Sequence, residues 1–113
     1  MVDDDKSVRE SLGRVFDKEG WQTVVAANGE EALEHLASRL PDLMITDLGM
    51  DGINGWDLLI HEGLQRPEMP VFVITGLGRD SIEGADLLAT EFFPKPLDLE
   101  ALVGAVRRRL GND

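Results

Sequence analysis

A chain of 113 residues with 42% apolar side chains has the size of one compact domain, 1–113, and is too apolar to stay disordered. The formal net charge of −11, with Arg107-Arg108-Arg109 as its one basic run, argues against direct contact with nucleic acid or an anionic membrane. The sequence has no cysteine, no run of ~20 apolar residues for a membrane span, and an acidic start unlike a secretory signal, so a cytoplasmic location is expected.

Met1-Val2 reads as the tail of a first strand whose start is absent, and Asp3-Asp4 stands at its end. Asp5 or Ser7 caps a first helix with Val8, Leu12, Val15 and Phe16 on one face, ended by Gly20. Trp21 to Ala26 is rich in strand formers and reads as a strand. Asn28-Gly29 is a turn, after which Glu30 or Glu31 opens a second helix. Its stripe is Ala32, Leu33, Leu36 and Leu40, and Pro41 stops it. Leu43 to Thr46 is a buried strand ending at Asp47, followed by a loop rich in Gly, Asp and Asn through Gly55. A third helix holds Trp56, Leu59 and Ile60; Pro70 precedes an apolar strand, Val71 to Thr75. A fourth helix, from about Ser81 to Ala89, is weakened by Gly84. Phe92-Phe93 is a very short strand before Lys95, and Asp98 caps a last helix with Leu102, Val106 and Leu110 on one side. The basic run then opposes the dipole at that helix's end. His35 and His61 lack metal-ligand spacing and read as surface or boundary residues, and Trp21 and Trp56 as packing groups.

Strands alternating with helices specify an α/β fold with a parallel sheet covered on both faces. Functional groups in such sheets gather beyond the carboxyl ends of the strands. Those ends carry Asp3, Asp4, Asp47, Thr75 and Lys95. Crowded carboxylates repel, and a hard divalent cation such as Mg²⁺ resolves the conflict with oxygen ligands. A cation, an ammonium, a hydroxyl and a nucleophilic carboxylate together suit phosphoryl transfer. Taken singly, each residue has a plainer reading: Asp3 and Asp4 as helix-capping acids, Asp47 as a turn former, Thr75 as a strand former, Phe92 as core.

Taken together, the motifs resemble the receiver domain of two-component response regulators. They are Val2-Asp3-Asp4-Asp5, Asn28 through Leu33, Pro41 through Leu48, Pro70 through Gly76, and Lys95-Pro96. The resemblance implies a doubly wound, flavodoxin-like, five-stranded parallel sheet of order 2-1-3-4-5. It implies that Asp47 accepts a phosphoryl group from a histidine kinase or phosphotransfer protein. Asp3, Asp4, Asp47 and the carbonyl of Gly49 would bind Mg²⁺. Thr75, the Gly76 amide and Lys95 would hold phosphoryl oxygens, Lys95 pairing with Asp47 beforehand. Thr75 and Phe92 would form the switch that alters the face of the fourth helix, fifth strand and fifth helix. That face would then address a downstream protein or effector domain, and it allows a homodimer.

The sequence departs from the family pattern in the short first strand, in Asp51 where proline is usual, and in the brief segment between Thr75 and Lys95. Those departures keep open an alternative, a receiver-fold interaction module that does not switch by phosphorylation. An aspartate-nucleophile phosphatase would place an acid two residues beyond Asp47; Gly49 stands there, so no independent substrate turnover is expected.

Overall fold

The computed structural model describes residues 1–3, 5–47, 68–76, 89–95 and 97–111. The predicted third helix and His61 lie outside them, as does the predicted fourth helix except Ala89, which is not helical.

Helix α1 runs from Lys6 to Lys18. Asp5 caps it: the Asp5 carboxylate accepts the N–H groups of Ser7 at 2.8 Å and Val8 at 3.4 Å. Leu12 and Phe16 are buried on the predicted face, with Val8 and Val15 packed beside them. Gly20, at φ 86°, takes the left-handed conformation that turns the chain away from the helix.

Helix α2, Gly29–Ser38, begins where Asn28 accepts the Glu31 N–H at 2.9 Å and the Glu31 carboxylate accepts the Ala27 N–H at 3.3 Å. The first bond satisfies a donor that the helix start leaves open, and the second ties the residue before the cap to the first turn. Ala32 and Leu36 are buried as predicted. Leu40 is not part of the stripe. The helix ends at Ser38, Arg39 is extended, and Leu40 is 54% exposed. Proline disfavours helical geometry at the residue before it, so Pro41 acts upstream of its own position.

Three strands, β1 (Met44–Asp47), β2 (Val71–Thr75) and β3 (Glu91–Pro94), form a parallel sheet in that order. Side chains alternate across it. Met44, Val71 and Val73 face α2, packing with Ala32, Leu36 and Met69, and Phe92 lies against this layer. Ile45, Phe72, Ile74 and Phe93 face the other way, onto Leu12 and Phe16 of α1 and Leu102 and Val106 of helix α3, Leu99–Leu110. Burial on both faces explains why β1 and β2 are nearly continuous apolar runs. Asp98 caps α3 by accepting the Ala101 N–H at 3.2 Å. Arg107 pairs with Glu19, with Nε to Oε2 at 3.1 Å, tying the end of α3 to the end of α1.

The first two predicted strands take a reduced form. Val2 bridges Ala26 on one side and Thr46 on the other, both in parallel. Its N–H donates to Ile45 C=O at 2.7 Å, and its C=O accepts the Asp47 N–H at 2.9 Å. Residues 21–25 carry no strand, contrary to the sequence reading. Below Val2 a cavity of about 990 Å³ opens between the two neighbours, lined by Met1, Trp21, Val24, Leu43 and Ile45 among others. The Met1 amine donates to Val24 C=O at 2.8 Å, and burial lowers its pKa to about 6.

Candidate functional site

All strands of the sheet run in one direction, so their carboxyl ends lie at one edge of the domain. Asp47 is the last residue of β1 and pairs in register with Ile74; Thr75 ends β2 and pairs with Pro94. The Lys95 N–H donates to Thr75 C=O at 2.9 Å, carrying the ladder one bond further and holding the lysine at the sheet edge. Asp3 follows the Val2 bridge, and its N–H donates to Ala26 C=O at 3.1 Å.

These backbone placements bring three of the predicted side chains into contact. The Lys95 ammonium lies 3.0 Å from Asp47 Oδ2 and 3.7 Å from Asp3 Oδ2. Asp3 is 1% exposed, Thr75 3% and Asp47 8%, so the ammonium addresses carboxylates largely withdrawn from water. Charge interactions there are stronger than on the open surface.

Asp3 is divided in its contacts. Its Oδ1 accepts the Asp5 N–H at 2.8 Å. Its Oδ2 is buried and finds no hydrogen-bond donor among the described residues. A buried, unsatisfied carboxylate oxygen is costly. The nearby ammonium offsets part of that cost, and an oxygen-seeking cation would offset more. A hard divalent ion therefore fits the donor set. Asp4 and Gly49, also predicted as metal ligands, lie outside the described residues.

Gly76 is exposed just beyond β2. A Cβ built there meets Lys95 Cβ at 3.9 Å, an ordinary contact, so local packing does not require glycine. Phe92 is half-buried on the α2 side of the sheet. The sequence reading passed over Arg9, whose guanidinium Nη1 donates to Asp3 C=O at 2.8 Å. The separation is six residues across a helix start, and no familiar spacing marks it. His35 is exposed, as predicted, and Trp21 packs on Phe16 at 5.7 Å between ring centroids.

Over residues 1–107 the sequence matches the response regulator receiver domain. It is 32% identical over 114 residues to the DNA-binding transcriptional regulator NtrC of Escherichia coli strain K12, covering 99% of this chain and 24% of that protein. It is 36% identical over 112 residues to the response regulator MprA of Mycobacterium ulcerans, covering 97% of this chain and 48% of that one. The chain thus spans about a quarter to a half of the length of these relatives. The fold is similar to that of the response regulator TrrA of Thermotoga maritima, solved in complex with Mg²⁺-BeF. The TM-score is 0.86 at 28% identity, with 96% of this chain and 94% of that one covered.

Proposed function

Because this chain belongs to the response regulator receiver domain family, we propose that it is a two-component signalling switch in which Asp47 takes a phosphoryl group from a histidine kinase or phosphotransfer protein. The observation that carries the reading is the Lys95 ammonium shared between Asp47 and Asp3 at converging strand ends.

An Asp47 oxygen attacks the phosphorus of a phosphohistidine. The P–O bond forms as the P–N bond breaks, and the departing nitrogen keeps the electron pair. The imidazole leaves neutral if its other nitrogen carries a proton. Lys95 holds the carboxylate in place beforehand and then follows the charge onto the phosphoryl oxygens. The Thr75 hydroxyl and the Gly76 N–H donate to those oxygens. Asp3, Asp4, Asp47 and the Gly49 carbonyl are the residues that would hold Mg²⁺, which when bound neutralises charge on the transferring group. Asp3 Oδ2, buried and without a hydrogen-bond donor among the described residues, supports that assignment.

The output follows as a population shift. Thr75 turns toward the phosphate, and Phe92 moves into the space released. The change reaches the face formed by the family's fourth helix, fifth strand and fifth helix, which addresses a downstream protein or an effector domain and can pair with a second copy. Residues 1–113 form one domain in this reading, and the Val2 and Ala26 bridges stand for the first and second strands of a 2-1-3-4-5 sheet. The domain promotes its own phosphorylation without turning over an independent substrate, and a cytoplasmic location follows from that role.

Incubation with Mg²⁺ and acetyl phosphate, followed by intact-mass measurement, tests the proposal. The wild-type chain gains one phosphate and Asp47→Ala gains none. Equal labelling of both would assign the acceptor elsewhere, and no labelling by any donor would favour a non-switching interaction module.

A further inference from the structure

We propose that Arg9 is a positioning residue for the cation site, acting through the backbone of Asp3. This inference rests on the reading that Asp3 and Asp47 hold Mg²⁺.

Asp3 is a buried carboxylate on a short tether. On its N-terminal side the sheet consists of a single bridged residue, Val2, and on its C-terminal side the chain enters α1 through the Asp5 cap. On the sheet side Asp3 is held by the Val2 backbone bonds and by its own N–H, which donates to Ala26 C=O.

Arg9 supplies a second constraint, from the helix side. It lies on α1, anchored through its own N–H to Asp5 C=O at 3.0 Å, and its guanidinium reaches back to Asp3 C=O at 2.8 Å. Meanwhile the Asp5 N–H fixes Asp3 Oδ1 at 2.8 Å. Carbonyl and inner carboxylate oxygen are thus both held from the helix side. The remaining oxygen, Oδ2, has no hydrogen-bond donor among the described residues and lies 3.7 Å from the Lys95 ammonium that also contacts Asp47. A charged donor to a carbonyl is among the stronger hydrogen bonds, and it is directional. Without it, Asp3 can rotate its carboxylate toward water or another donor. Cation binding must then reverse that relaxation, so the effect falls on affinity rather than on the chemistry of the bound state.

The test uses Arg9→Met, which keeps the apolar stem, and Arg9→Lys, which restores a donor of the same charge. Mg²⁺ affinity is measured by calorimetry without phosphodonor, the urea midpoint in metal-free buffer, and the labelling rate across Mg²⁺ concentrations. Arg9→Met is expected to weaken Mg²⁺ binding about tenfold, in the range known for residues that orient metal ligands. Its labelling rate at saturating Mg²⁺ and its metal-free urea midpoint should stay near wild type, and Arg9→Lys should recover much of the affinity. Unchanged Mg²⁺ affinity in Arg9→Met overturns the proposal, and so does a loss of affinity that tracks a fall in the urea midpoint. If the wild-type chain itself binds no Mg²⁺, the underlying site reading fails with it, and the wild-type titration separates that failure from failure of Arg9's role alone.

Discussion

Replacing Lys95 by methionine removes the one cation seen between Asp47 and Asp3 among the described residues while keeping most of the side chain's volume. At an effective dielectric of about 20, each contact, at 3.0 and 3.7 Å, is worth roughly 5 kcal/mol of gross attraction. Most of that is cancelled by the cost of desolvating the ions and ordering the lysine, whose side chain is 35% exposed. The net loss for Lys95→Met should therefore be about 2 kcal/mol in metal-free buffer, because two buried carboxylates lose their counter-charge. Divalent cations should reverse it: if Mg²⁺ binds the native carboxylate cluster as proposed, and not the unfolded chain, it stabilises in proportion to the logarithm of its concentration. The assay is urea unfolding of wild type and variant, in chelator and in millimolar Mg²⁺. The variant should be the less stable protein in chelator and show the larger gain from Mg²⁺. Equal midpoints in chelator would refute the claim that Lys95 neutralises these carboxylates.

Other expectations concern the site rim and the reduced first strand. Gly76→Ala should leave stability within about 0.5 kcal/mol, since among the described residues the new Cβ meets an ordinary contact at 3.9 Å, and should retain labelling on Asp47; urea unfolding and intact mass check both. In the 113-residue chain the Met1 amine has a folded pKa of about 6 against 8.0 for the free group. The unfolded chain therefore binds the proton first as pH falls. Stability is full above about pH 8, declines as pH falls through 6, and then levels off, which urea midpoints across that window would record. An added Val-Ile-Val-Ile segment ahead of Met1 should enter the 990 Å³ cavity and pair with both neighbours. Side-chain burial of about 1.5–3 kcal/mol each exceeds the backbone ordering cost of about 1–2 kcal/mol per residue, so the melting temperature should rise. The same extension replaces the ammonium by an amide and should flatten the pH dependence. A proline-containing extension should do neither, and equal gains from both would show that strand pairing is not the cause.

Much of this was legible from local chemistry. Asp5 and Asp98 cap helices as read, because short polar side chains satisfy the open N–H groups at a helix start, and that requirement needs no distant partner; Asn28, read as part of a turn, caps α2 in the same way. The stripe of Leu12 and Phe16 and the apolar runs of β1 and β2 likewise follow from periodicity alone. Sequence reading failed where an element depends on its neighbour. Residues 21–25 have strand-forming side chains but form no strand, since a strand exists only through pairing with a neighbour and not through side-chain preference alone. Leu40 fits a helical stripe, yet Pro41 turns the chain before the helix can present it.

The site divides along the same line. The sequence by itself determined which groups stand at the strand ends, Asp3, Asp47, Thr75 and Lys95, because alternation and strand termini are local properties. Tertiary structure alone decided that Lys95 lies within reach of both Asp3 and Asp47, that Asp3 turns one oxygen to a backbone donor while the other has no donor among the described residues, and that Arg9 grips the Asp3 carbonyl. Those facts depend on the register and direction of parallel strands distant in sequence, which fix side-chain separations to within an ångström and which no local pattern encodes.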